Sequence, residues 1–242
     1  MEFSDMFNGA LAKYCADENY AIEEFPEIKF VESIWEEFKT LRPDLAKMYN
    51  KEDIEKSSGY TLFLDGGTGV VLIDKTFFLE SSNKNLFWIE TMVHEITHYR
   101  DYKNNLGIFG HNTYDSMLNC YSFWYWTEFH ARYKGMLQML GWVNWLPDTE
   151  RNNYETDMIQ RLDSELVFIT SDATKEIRYR NFMHLLGDIA AYNENGYKIP
   201  SEAIEKIFPD HLGYIEFLKS QDQTVDADFL TILQCNLEKN IV

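Results

Sequence analysis

Apolar residues recur at three- and four-residue steps along much of this chain, and each such stretch predicts an amphipathic helix. Phe3, Met6, Phe7, Ala10 and Leu11 mark the first, over about 3–14. Phe30, Ile34, Trp35 and Phe38 mark a second over 28–41, ended by Pro43. Residues 45–56 are mostly polar and predict only a surface helix or loop. The period then changes. Tyr60–Leu64 and Val70–Phe78 are β-prone and flank Asp65-Gly66-Gly67-Thr68-Gly69, which predicts a hairpin about a glycine turn. Helical spacing returns with Leu86, Ile89, Val93 and Ile96; Ser81-Ser82-Asn83 offers N-cap residues, and Asn104, Asn105 and Gly107 offer a stop. A long helix is predicted over 113–140, followed by a loop holding Trp142, Trp145 and Pro147, with the two tryptophans expected to pack between the halves of the chain. Beyond it, Met158, Leu162, Leu166 and Ile169 predict one helix, and Ile177, Phe182, Leu185, Leu186 and Ile189 another. Ser201 is placed to cap a third, carrying Ile204 and Phe208. A hairpin followed by helices gives an α+β fold: a core over 1–145 and a helical C-terminal subdomain over 146–242.

Composition narrows the function classes. The 242 residues are 45% hydrophobic and 16% aromatic, enough for a substantial core. A net charge of −18 argues against nucleic acid or an anionic membrane surface as partner. No apolar run approaches the length of a membrane span, and the N-terminal residues lack a signal-peptide pattern. Cys15, Cys120 and Cys235 are odd in number and scattered, and read as buried thiols in a reducing compartment. A cytoplasmic protein is expected.

One motif carries chemistry. His94-Glu95-Ile96-Thr97-His98 places two imidazoles four residues apart, one turn along the same helix face. Such a pair can bind one Zn²⁺, with Glu95 beside it as the general base for a metal-activated water. A catalytic zinc needs a third protein ligand. The extended three-histidine pattern fails, because Asp101 and Asn104 stand where glycine and histidine are required, and His111 lies in a loop. Glu128 is the better candidate. It interrupts the stripe Met117, Tyr121, Trp124, Ala131, Gly135, where a carboxylate is costly unless a partner cancels its charge. The small Ala131 and Gly135 permit close approach of another helix. The plainer alternative for Glu128 is an i,i+4 salt bridge with Arg132.

With Glu128-Phe129-His130-Ala131 downstream of it, the motif resembles the gluzincins, zinc peptidases with a glutamate ligand on a second helix. Within them the layout over about Tyr60 to Gly135 is most similar to the ImmA/IrrE-like metallopeptidases. Ile96-Thr97 departs from the Leu-Gly common there, and there is no helix-turn-helix DNA-binding segment. The resemblance implies a zincin-like core within 1–145, and hydrolysis of a peptide or protein substrate. Val70–Phe78 is the strand expected to hold that substrate at an exposed sheet edge.

Further roles stay open. His184, Tyr133, His130 and His111 are candidates to stabilise an oxyanion, although a lone histidine amid Phe182, Met183, Leu185 and Leu186 is commonly a core residue. Asp101 and Glu90 are placed to back the histidines, or to be ordinary solvated charges. The alternative to an enzyme is a catalytically silent regulatory or protein-binding module that keeps the same shape.

Overall fold

The computed structural model describes residues 3–21, 24–64, 67–107, 117, 119–197, 199 and 201–240. It is α+β and mostly helical, with one small mixed sheet. The chain divides into two compact units, Met1–Tyr99 and Arg100–Val242, so residues 100–145 group with the C-terminal helices.

In the first unit, helix α1 (Phe3–Glu18) turns Ala10, Leu11 and Tyr14 inward. The helix expected over 28–41 is instead strand β1 (Glu27–Val31) followed by α2 (Ile34–Leu41). Phe30 and Ile34 are four apart and imitate one helix face. The break lies at Ser33, whose hydroxyl accepts the Glu36 N–H and caps α2. A short 3₁₀ turn (Leu45–Lys47) and α3 (Lys51–Glu55) follow. Strands β2 (Gly59–Phe63) and β3 (Gly69–Asp74) form the expected hairpin. The second strand stops at Asp74, not Phe78, because the Asp74 carboxylate accepts the Phe77 N–H and starts α4 (Lys75–Lys84). Ser81-Ser82-Asn83 therefore lies inside α4. The residue that caps the motif helix α5 (Phe87–Asn105) is Asn85, through a Phe87 N–H to Asn85 Oδ1 bond of 3.1 Å.

The sheet order is β1-β3-β2, with β1 parallel and β2 antiparallel to β3. Residues Val70 to Ile73 are each no more than 1% exposed, as expected of a strand covered on both faces. This corrects the substrate-strand expectation. β3 is central, its ladder hydrogen bonds are taken on both sides, and no further strand can add to it. Ile34 and Phe38 pack with Leu45, Ile54, Leu62, Val70 and Leu72 on one side of the sheet. Ile89, Val93 and Ile96 give α5 the buried face its periodicity predicted.

The second unit is built on two helices, α6 (Tyr121–Val143) and α8 (Lys175–Glu194), with α7 (Asp148–Thr170) against α8. From Phe123 to Tyr133 every α6 residue except Trp124 is buried, which marks a core helix rather than an amphipathic one. Tyr121, expected on the inner stripe, is exposed, and residues 113–116 and 118 of the expected helix lie outside the described residues. α6 and α8 run parallel in a constant register. Glu128 meets His184, and Arg132 meets Asp188, each across 56 residues. Gly187 makes this crossing possible: a Cβ there would lie 2.9 Å from both Arg132 Cβ and the Phe129 carbonyl oxygen. Arg132 Nε donates to Asp188 Oδ1 at 2.7 Å, and its Nη2 to Glu165 Oε1 of α7 at 3.0 Å, so one buried guanidinium ties three helices. In α8 it is Tyr179 that turns inward, while Ile177, expected in the core, is exposed.

Shorter helices α9 (Ser201–Ile207), α10 (His211–Lys219) and α11 (Ala227–Asn240) complete the unit. Trp145 is 85% exposed, so it does not pack between halves. Among the described residues the cysteines form no disulfide; Cys15 and Cys120 are half-buried and Cys235 is exposed, not buried as expected. No helix among the described residues is long and apolar enough to cross a membrane.

α10 is tied back to α6 and α8 at Glu194, which accepts Tyr133 Oη–H at 2.6 Å and pairs with Lys219. Burial alone would raise this carboxyl, but the Lys219 and Tyr133 hydrogen bonds outweigh it and hold Glu194 below a glutamate's ordinary 4.5. A depressed folded-state pKa gives stability that is present above 4.5 and is lost as pH falls through the lowered value. Acid titration of unfolding midpoints should show this loss in wild type and a flatter profile in Glu194→Gln.

Candidate functional site

α5 carries the motif residues. His94 and Glu95 are buried and His98 is half-buried. The four-residue spacing brings the two imidazoles together as predicted: His94 Nε2 lies 2.9 Å from His98 Nε2, with the rings near perpendicular. Both rings present Nε2 to one point. Two nitrogens bound tetrahedrally to zinc at about 2.0–2.1 Å would stand about 3.4 Å apart, so a small rotation of either ring suffices. His94 Nδ1 faces Glu90 Oε1 at 3.8 Å, and Glu90 is itself buried, which is where an orienting carboxylate belongs.

Glu95 is set by β2. Thr61 Oγ1 lies 2.7 Å from both the Glu95 carbonyl oxygen and Oε2, so one hydroxyl steadies main chain and carboxylate together. Gly59 makes room, since a Cβ there would sit 2.8 Å from Glu95 Cγ. Thr61 was not foreseen. Its only signal was a polar residue in the hairpin strand that precedes the motif. Among the described residues β2 pairs only with β3, so β2 rather than β3 is an edge strand, and it borders Glu95.

A separate polar group lies on α6 and α8. Glu128 is buried, as its place in an apolar stripe implied. Its Oε2 accepts His184 Nε2–H at 2.8 Å, and Arg180 Nε stands 3.4 Å from Oε1. Arg132, one turn on, is bonded to Asp188 and Glu165. Burial lowers the His184 pKa against the pull of Glu128, which favours the neutral imidazole. Glu128 and His184 are thus a paired carboxylate and imidazole, both of them metal-ligand types.

Asp101 is not a solvated charge. It is 1% exposed and accepts Thr127 Oγ1–H at 2.6 Å and His130 Nδ1–H at 2.8 Å. Of the oxyanion candidates, His130 is thus bound to Asp101, Tyr133 to Glu194 and His184 to Glu128, while His111 lies outside the described residues.

No protein-family model, curated protein or solved structure matches this chain. Its chemistry is read from its own residues.

Proposed function

We propose that the chain is a zinc metallopeptidase with a zincin-like core, its ion held by His94, His98 and Glu128. The observation that carries this reading is the convergence of His94 Nε2 and His98 Nε2, 2.9 Å apart, on a helix that also presents Glu95. Neutral imidazoles and one carboxylate are a donor set suited to zinc. When bound, the ion supplies a Lewis acid and makes water a nucleophile near neutral pH. Glu95 is the general base, taking the proton of the attacking water and passing it to the leaving amine. Thr61 keeps its carboxylate oriented. Among the described residues β2 pairs only with β3, and its other edge offers a peptide substrate main-chain hydrogen bonds next to that base.

Protein purified without chelator is expected to hold about one zinc per chain, to lose it on His94→Ala or Glu128→Ala, and to cleave members of a peptide library. Protein without tightly bound zinc would sink the proposal. The exposed Trp145 favours one second reading, a binding protein that keeps the site without turnover. It predicts zinc uptake with no cleavage of any library member.

A further inference from the structure

We infer that His184 is a positioning residue: it fixes the Glu128 carboxylate through the Nε2–H to Oε2 bond and so sets the affinity for zinc. This rests on the reading of Glu128 as a ligand. The bond is 2.8 Å long and both side chains are shielded, Glu128 being 4% exposed. A free glutamate samples many rotamers, and ordering it on an ion costs entropy. One already held by a rigid partner pays that cost on folding.

The fold makes His184 such a partner. One turn along α8, Gly187 lets the helices touch at Arg132, and Asp188 accepts two hydrogen bonds from that arginine. These contacts fix the α6–α8 register, and the register places His184 against Glu128. Arg180, one turn before His184, approaches the other carboxylate oxygen. The carboxylate therefore has one oxygen turned to each of two α8 side chains. Arg180 is half exposed and 3.4 Å away, a weaker restraint than the better-shielded imidazole at 2.8 Å. His184 sits in an otherwise apolar run, Phe182-Met183-His184-Leu185-Leu186, and Glu128 is the group it addresses.

The test is zinc affinity, read by competition with a chromogenic chelator, in wild type, His184→Leu and His184→Gln, beside the unfolding midpoint of each metal-free protein. Leucine fills the space without a donor; glutamine restores an N–H donor but is a poor zinc ligand. His184→Leu should weaken zinc binding about 10–100-fold, and His184→Gln should recover most of that loss, at similar midpoints. If both variants weaken binding equally, His184 is a ligand and the positioning role is overturned. Affinity unchanged in His184→Leu overturns it as well. A loss of affinity that tracks a fallen midpoint in both variants assigns His184 to the core and overturns it too. Wild type that takes up no zinc overturns the underlying reading, and is distinguished from these outcomes by the wild-type measurement alone.

Discussion

Replacing Glu95 with glutamine is expected to remove peptide hydrolysis while leaving bound zinc in place. Glutamine matches glutamate in size and keeps an oxygen for the Thr61 hydroxyl, which lies 2.7 Å from Oε2. The crowded contact with Gly59 is also unchanged. What is lost is the capacity to accept a proton. General base catalysis contributes about 10²–10⁴-fold, so the rate should fall by at least about a hundredfold, or about 2.7 kcal/mol in the barrier. Zinc content by atomic absorption and cleavage of a peptide library by mass spectrometry check both halves. A variant that retains activity within about tenfold of wild type, a loss well short of that range, would show that Glu95 is not the base.

The largest stability effect is expected at Asp101. Its carboxylate is 1% exposed and is the acceptor for both Thr127 and His130. Burial opposes charge on His130, but Asp101, with Asp222 on the other ring nitrogen, outweighs it and raises the imidazole's pKa. Asp101→Ala leaves two buried donors, Thr127 Oγ1–H and His130 Nδ1–H, without that acceptor. Breaking a buried pair from one side costs about 3–5 kcal/mol. For a chain of this length that is a fall in melting temperature on the order of 6–20 °C. Asp101→Asn keeps an acceptor for Thr127 and should fall less. Thermal and urea unfolding of the two variants separate these outcomes; equal stability of Asp101→Ala and wild type would remove the network from the folding energetics.

Much of the candidate site was legible because polar residues in apolar runs are expensive. Glu128 and His184 each interrupt such a run; Glu128 proves buried, His184 half-buried, and the two are bonded to each other. The spacing of His94 and His98 was equally readable, since helix geometry alone brings them together. What escaped reading depends on partners distant in sequence. β1 looked helical because its parallel neighbour β3 begins some forty residues later, and nothing local announces the pairing. The same long-range pairing made β3 central and left β2 as the edge. Asp101 looked like a solvated helix charge because Thr127 and His130 lie on a different helix. Ile177 and Tyr121 matched the inner stripes by period, yet both lie in the first turn of their helices and are exposed.

The equal offset between α6 and α8 also guards against misfolding. If α8 slid by one turn, Glu128 would find Arg180, an acceptable substitute. Arg132, however, would face His184 in place of Asp188, and Met183 would be driven into the notch that Gly187 leaves open. The displaced Asp188 carboxylate, fully buried, would lose the Arg132 guanidinium that donates to both its oxygens. A slipped pairing thus fails at several points together, so the chain has one alignment in which these helices close, and the seat of Glu128 is chosen by the same event that completes the core.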